Sequence, residues 1–587
     1  MMKKIYLTAL LLIFTLLIST NLVEARVFRP LKVDEKTKVF RDGQVRYEKG
    51  IYYLELSGDY FEMGFQYGVL MKEELKGIVN QLYDFKGKMI RTFPWYLEEV
   101  ASTYTDMEIE LMERRIPEDY RHELQGMAYG AGLPYYKLLA AALAPQWLTP
   151  GCSAIIKRVD DRVMLARNLD YSPGFLGKYP VVVEYNPNDK NKFTSIGIIG
   201  FPGVLTGYNK QGLALSVNVA KLANDEDYLS TPIGYLNREI LENCSDLEQV
   251  DNKLNGFKSD LGWIISIVSN KDNDGAIYDL AGSTVQKTSL ADKKDLYITN
   301  FFLNKDLRRE KMGIVQVGGI HNQGRYQNLR SEVENTHVKG VGDLIDILSS
   351  TTFYEYQEDI QHGLILHGTV NNEGTIQSIV LDPARKEVYF SWAEGYAGFG
   401  PYYQIDTRSK VVTKYPDKYP QIRERAKRLY QYQQQLMDDF LFGNTEQVIK
   451  TIYTDDTEIS YLEMALLLSI WEEDHSRLET EQLLADLEQV LERYDNLDLL
   501  LKYRGQLLLA MGKDEEAIST LKSALQVEHT FPGYQVEIYA QLAEIYNQRG
   551  QRSMAKEYAK RCIHLIKEYQ VGDEEDELIN RIDKFIR

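Results

Sequence analysis

The chain has 587 residues, 44% of them apolar and 11% aromatic, which is too long for one hydrophobic core and well supplied for several. Its 68 Lys and Arg face 86 Asp and Glu, a formal net charge of -18, and no basic stretch offsets that excess. A field of that sign repels phosphate backbones, which excludes nucleic acid as a natural partner.

The N-terminus, residues 1–25, reads as a signal peptide. Lys3 and Lys4 form a charged start, Ile5 to Leu17 an apolar run broken only by Thr8 and Thr15, and Val23-Glu24-Ala25 has the small-residue spacing of a cleavage site. An uncleaved membrane anchor is the alternative, because the run to Val23 is nearly long enough to span a bilayer. The interruptions and the closing residues favour cleavage, so the mature chain is expected to be soluble and secreted or extracytoplasmic. In that setting the three cysteines, Cys152, Cys244 and Cys562, are an odd number, far apart and without a C-x-x-C pair. They make no disulfide framework and no metal site. At least one thiol should be free.

Residues 26–151 open with a strand-like run, "YLELSG", and then turn helical. Leu70, Met71, Leu75, Ile78 and Leu82 have helical spacing. "HELQGMAYGAGLPYYKLLAAAL" is a second helical stretch. Gly58, Gly64 and Gly68 precede or enter the first pattern, and Gly126, Gly130 and Gly132 fall in the second. Glycines weaken helices, so their recurrence predicts close backbone approach. From residue 152 to about 415 the pattern changes to strands: "SAIIKRV" and "RVMLARNLDY" flank Asp160-Asp161, and "YPVVVEY" and "FTSIGIIGF" flank "NPNDKNK". A helical interlude, "IGYLNREILENCSDLEQVDNKL", precedes further strands. Many strands on tight turns predict antiparallel sheets rather than parallel βαβ units. Residues 416–587 are helical. Within them "YRGQLLLAMGKDEEAISTLKSALQ" aligns with "YAQLAEIYNQRGQRSMAKEYAKRCI", Gly512 on Gly550 and Ala517 on Ala555. This resembles a tetratricopeptide pair, short of the three units a free-standing solenoid needs, with an ordinary helical bundle as the alternative. Such a module is expected to meet a protein partner or the neighbouring domain and to carry no chemistry.

The chemistry centres on "PGCSAIIKRVDDRVMLARNLDY". Cys152 follows Pro-Gly and begins a strand; it is either a small buried apolar residue or a nucleophile. A thiol attacks only as thiolate and needs a base or a cation nearby. None of the eight histidines has a catalytic setting, although His321 and His367 stay open as bases. A second route uses no histidine: cutting the Gly151–Cys152 bond frees an α-amine whose ordinary pKa, about 8, lets it take the thiol proton.

That stretch resembles the start of the mature catalytic chain of N-terminal-nucleophile (Ntn) cysteine hydrolases, and it is most similar to the penicillin (isopenicillin-N) acyltransferase family, related to choloylglycine hydrolases. "GDYFEMGFQYG", "ELQGMAYGAGL", "GYNKQGLALSVN", "LYITNFF" and "GRYQNL" resemble further family segments in the expected order, over about residues 50 to 400. The resemblance implies an α+β, αββα sandwich of antiparallel sheets, followed here by the helical tail. It implies a precursor that cuts itself between Gly151 and Cys152, leaving residues 26–151 as an associated small subunit. It implies amide hydrolysis or acyl transfer on a small acyl-amide substrate through a Cys152 thioester, with no cofactor and no metal. Hydrolysis is the expected direction outside the cell.

Roles follow the matched positions, each beside a plainer reading. Arg167 would favour the thiolate, or be a strand-end surface charge. Asp170 would orient the new α-amine, or be a turn carboxylate. Asn218 and Asn300 would donate to an oxyanion, or cap loops. Arg325 would organise the site or bind a substrate carboxylate, or be a solvated helix-start charge. Tyr171 departs from the family, where many relatives have Trp. Two other functions stay open: a histidine-dependent cysteine hydrolase without self-cleavage, and a non-catalytic extracellular binding protein.

Overall fold

The computed structural model describes residues 28–91, 107–147, 151–171, 174–222, 230–312, 320–353, 356–357, 368–441, 443–454, 458–495, 497–527, 532–568 and 574–585. The signal-peptide reading and His367 lie outside them. Two large sheets face one another. The first has eleven strands in the order β1 (Leu31–Lys32), β2 (Thr37–Phe40), β3 (Gly43–Glu48), β4 (Ile51–Gly58), β7 (Pro180–Pro187), β8 (Phe193–Ile198), β9 (Thr206–Asn209), β10 (Leu213–Val219), β11 (Ser259–Ser269), β12 (Asp274–Gly282) and β13 (Thr284–Ser289). The second has seven: β14 (Asp295–Ile298), β5 (Gly151–Val159), β6 (Arg162–Asp170), β17 (Thr375–Asp382), β18 (Glu387–Trp392), β19 (Tyr403–Asp406) and β20 (Val412–Lys414). A two-stranded ribbon, β15 (Thr352–Phe353) with β16 (Tyr356–Gln357), stands apart.

Period-two alternation divides each strand between two cores. Ala154, Ile156, Val163 and Leu165 of the seven-stranded sheet meet Val182, Ile196, Ala214 and Ile264 of the other, forming the layer between the sheets. Outward, Ile155, Met164 and Val380 are covered by α8 (Ile320–Asn335) and α9 (Val341–Leu348). The outer face of the eleven-stranded sheet is covered by α1 (Tyr60–Leu70), α2 (Lys72–Ile90), α3 (Glu118–Ala131), α4 (Tyr135–Trp147), α5 (Ile233–Asn243) and α6 (Leu247–Leu254). A short helix, α7 (Lys305–Lys311), follows β14. The result is the four-layer αββα arrangement. Its ladders are antiparallel throughout except that β4 pairs parallel with β7. The segment read as helical before residue 152 therefore also supplies four strands to the larger sheet, where Val45, Leu54 and Leu56 are buried.

The glycines of that segment find their reason in the crossing of α1 and α3. A Cβ at Gly64 would strike the Glu123 carbonyl, at Gly68 that of Met127, at Gly126 that of Phe61 and at Gly130 that of Phe65. Gly132 ends α3 in the left-handed region, φ 65°.

The tail runs from α10 (Pro420–Leu441) through α11 (Thr445–Thr454), α12 (Tyr461–Glu473), α13 (Thr480–Leu491), α14 (Asp498–Ala510), α15 (Asp514–Ala524), α16 (Pro532–Gln548) and α17 (Arg552–Glu568) to α18 (Glu574–Asp583). The aligned glycines close equivalent turns: Gly512 and Gly550 both have φ 73°, and Ala517 and Ala555 are both buried. The tail has its own apolar cores. It meets the two-sheet unit where Ala426 and Tyr430 of α10 pack on Tyr396 and Phe399.

Candidate active site

The β5–β6 hairpin turns at Asp160, whose φ is 54°, and its register sets Gly151 opposite Asp170 and Cys152 opposite Leu169. By alternation Cys152 points with Ala154 and Ile156 into the layer between the sheets, and its side chain is fully buried. Arg167, from β6, points into the same layer and is 1% exposed, which removes the surface-charge reading. Its guanidinium reaches across to the other sheet. Nη1 donates to the Leu205 carbonyl (2.8 Å) and to the Thr206 hydroxyl, and Nη2 donates to the Val217 carbonyl (2.9 Å) and to Cys152 Sγ (3.1 Å). Two neutral carbonyls and a hydroxyl thus fix a cation against the lone thiol.

The backbone of Gly151 and Cys152 is held by a second group of side chains. Arg325, on α8, donates from Nη1 to the Cys152 carbonyl (2.8 Å) and to Asp170 Oδ2 (3.3 Å), and from Nη2 to Asn300 Oδ1 (2.7 Å). Asn300 Oδ1 also accepts the Cys152 N–H at 3.0 Å. Asp170 lies against Gly151: a Cβ there would come within 3.2 Å of Asp170 Oδ2. In the intact chain, then, the nitrogen that cleavage would turn into an α-amine donates to Asn300, while Asp170 touches the residue before it.

Neither asparagine aims its carboxamide nitrogen at the sulfur. Asn218 Nδ2 donates to the Thr299 carbonyl (2.8 Å) and Asn300 Nδ2 to the Val219 carbonyl (2.9 Å). Asn218 stands inside β10, in the layer between the sheets, directly after the Val217 carbonyl that Arg167 and Cys152 share. These contacts staple β10 to the stretch after β14.

Burial pushes the Cys152 thiol up; the Arg167 guanidinium pulls it down, the Asp170 carboxylate pushes it up, and Arg325 pulls it down. The intact chain therefore keeps the sulfur protonated around neutrality. Beside it, burial drives the Tyr171 phenol well above its ordinary value.

Five supporting residues were not legible in the sequence. Thr375 donates to Asp170 Oδ1 (2.7 Å) and Asn372 Nδ2 to Asp170 Oδ2 (3.3 Å), and the Gly374 carbonyl accepts the Tyr171 N–H (2.7 Å). Asn322, one turn before Arg325 on α8, accepts the Asn300 N–H (3.0 Å). Thr206 holds Arg167. "NNEGT" does signal a turn, but nothing local signals that it closes on a carboxylate two hundred residues earlier. The side chain of His321 lies outside the described residues, as does all of His367. All three cysteines are free and buried.

Residues 157–396 match the family model described as acyl-coenzyme A:6-aminopenicillanic acid acyl-transferase. The matched stretch starts just after Cys152 and contains Arg167, Asp170, Asn218, Asn300 and Arg325. With the αββα layers, it upholds the Ntn-hydrolase fold read from the sequence. Among curated proteins, the chain is similar to protein dcd1B of Dictyostelium discoideum (23% identical over 40% of this chain and 51% of that protein). It is also similar to acid ceramidase of Mus musculus (21% identical over 29% of this chain and 50% of that protein). The chain spans about half the length of the curated relatives it matches. Among solved structures it is similar to a Caenorhabditis elegans N-acylethanolamine-hydrolyzing acid amidase ortholog (18% identity, 40% of this chain, 93% of that one, TM-score 0.29). A second is a Clostridium perfringens conjugated bile acid hydrolase mutant (12% identity, 46% of this chain, 97% of that one, TM-score 0.27).

Proposed function

We propose that the chain is an exported, self-processing Ntn cysteine amidohydrolase or acyltransferase acting on linear amides. The observation that carries this reading is the Arg167 guanidinium held 3.1 Å from the sulfur of a fully buried thiol, one residue after the glycine that lies against Asp170.

In the first step Cys152 Sγ attacks the Gly151 carbonyl carbon. The C–S bond forms, the C–N bond to Cys152 breaks, and the leaving nitrogen takes a proton to become the α-amine. Water then hydrolyses the thioester, giving a Gly151 carboxylate and a free Cys152 thiol. Arg167 and Arg325 favour the thiolate by their charge. Asn300 Oδ1, which accepts the Cys152 N–H in the intact chain, is placed to accept from the amine it becomes, and Asp170 sets the electrostatics from the Gly151 side. In turnover the amine takes the thiol proton, the sulfur attacks the substrate's acyl carbonyl, and the proton passes to the departing substrate amine. Water or another amine then takes the acyl group. Asn218 and Asn300 serve as oxyanion donors in this scheme only if their carboxamides exchange their present carbonyl partners for substrate.

The test is intact mass and N-terminal sequencing of wild type and Cys152→Ala. Wild type is expected to give a chain beginning Cys152-Ser153-Ala154 and the variant to stay whole. Two whole chains would sink self-processing and return a histidine-dependent hydrolase or a binding protein to the front.

A further inference from the structure

The family match ends at residue 396, and the helical tail lies beyond it. Its first helix, α10, does not lie flat on the two-sheet unit: a cavity of about 840 Å³ opens between it and α2. At the edge of that cavity Tyr430 of α10 is wedged between two loops. A Cβ at Gly174, three residues after Tyr171, would come within 2.1 Å of the Tyr430 hydroxyl. A Cβ at Gly395, after β18, would come within 2.5 Å of its ring. Two glycines far apart in sequence thus leave their side-chain space to one ring of the tail.

The loop against which Tyr430 packs is tied to the candidate site. Gly395 is pressed on the Glu373 carbonyl, where a Cβ would again come within 2.5 Å. The Tyr396 N–H donates to the Asn372 carbonyl (3.0 Å). Asn372 and Thr375 are the residues whose side chains donate to Asp170. Within their turn the Gly374 N–H donates to Asn372 Oδ1 (2.9 Å) and the Asn372 N–H to Thr375 Oγ1 (3.0 Å), so the two donors to Asp170 are fixed together.

Tyr396 links this turn to the tail. Its phenol donates to Gln433 Oε1, about one helical turn after Tyr430 on α10. Its backbone is left-handed, φ 54° and ψ 35°, a rare conformation for a bulky side chain. Such strain persists only where the surroundings over-determine it. Here the surroundings are Asn372 on one side and Tyr430 and Gln433 of the tail on the other.

We infer that Tyr430 is a positioning residue for Asp170: α10 holds Tyr396 and Gly395 in place, these hold the 372–375 turn, and the turn holds the carboxylate. The tail is then part of the scaffold of the site. That Asp170 serves a reaction rests on the amidase reading; that the tail holds it does not.

Hydrogen exchange, read by mass spectrometry on the full-length Cys152→Ala chain, tests the coupling with no bond cut. The amides of Tyr171 and of residues 372–375 report the turn, because the Tyr171 N–H donates to the Gly374 carbonyl. Tyr430→Leu keeps α10 helical and apolar but does not fill both glycine sites, and these amides should exchange roughly tenfold faster or more. Gly395→Ala, which drives a methyl into the same contact, should do the same. Tyr430→Phe should restore the parent rates. Leu542→Ala, in the separate apolar core of the last helices, should lower the melting temperature and leave these amides unchanged. With Cys152 intact, Tyr430→Leu should slow self-cleavage roughly ten- to a hundredfold, as small misplacements around a reacting centre do, and Tyr430→Phe should restore it. Unchanged exchange at the turn in Tyr430→Leu and Gly395→Ala, or an equal rise in Leu542→Ala, overturns the coupling whether or not the chain cuts itself. Faster exchange with cleavage at the parent rate overturns the positioning role. A parent chain that shows the coupling and never cuts sinks the self-processing reading alone.

Discussion

Asp279 is a buried carboxyl whose protonation is tied to the fold. It is 1% exposed, and its Oδ2 accepts the Asn304 N–H at 2.8 Å, fixing the start of α7 and so the stretch that carries Asn300. Burial pushes its carboxyl up to about 6. A raised folded-state pKa means the fold binds a proton that the unfolded chain has already lost. The stabilisation is therefore complete below pH about 4, the unfolded value, and disappears as pH rises through 6. Over that window wild type should lose about 2–3 kcal/mol relative to Asp279→Asn, which keeps an acceptor for Asn304 and has no proton to lose. Urea unfolding at pH 4 and pH 7.5 checks it; a stability gap constant across that range contradicts the assignment. The same scale shows how far a residue type can be read. Cys152 stood out by its place after Pro-Gly, and Arg167 and Asp170 became candidates through the resemblance to a known family. That the N–H of Cys152 goes to Asn300, and that Thr375 and Asn372 hold the carboxylate, depends on chain segments brought together from far apart.

Among the elements, the α1–α3 pair makes the sharpest demand on sequence. Glycine in a helix interior ordinarily weakens it, by about 0.5–1 kcal/mol relative to alanine. At Gly126 the sign reverses, because a Cβ would collide with the Phe61 carbonyl and come within 2.8 Å of the Phe65 nitrogen, both backbone. Gly126→Ala should then destabilise by about 1–3 kcal/mol, the range for overpacking. Gly87→Ala on α2, whose nearest neighbour is the flexible end of Arg91 at 3.6 Å, should be neutral or stabilise by about 0.5–1 kcal/mol. The denaturant midpoint of Gly126→Ala should fall while that of Gly87→Ala holds or rises; equal shifts would show that the helices can part at no penalty. The sequence announced a close approach through the spacing of these glycines but not its partner.

At the scale of the whole molecule, the segment before Cys152 is built into the two-sheet unit. β4 pairs parallel with β7 from Tyr52–Val181 to Gly58–Pro187. Arg238 on α5, fully buried, pairs with Glu123 on α3 at 2.6 Å and with Glu242 at 2.9 Å, while Tyr60 and Tyr120 donate to Glu242. Buried charges are screened little by salt. If the chain cuts itself, its two pieces should co-elute on gel filtration in 1 M NaCl, and separation there would contradict this interface. Arg238→Met, which strands two buried carboxylates, should cost roughly 3–5 kcal/mol and lower the recovery of the paired fragments.

The sequence by itself determined the order of regimes, the strand turns, the helical tail with its paired glycines at 512 and 550, and the resemblance centred on Cys152. Those are local properties: period, turn chemistry and residue order act over a few positions and need no knowledge of distant contacts. Only the tertiary structure decided that the early segment completes the larger sheet, that Arg167 bridges the two sheets to meet the thiol, and that the tail closes a cavity beside the turn holding Asp170. Each of these depends on which buried polar group finds which partner across the layers. That choice is forced by the cost of leaving such groups unpaired and is made only when the layers close.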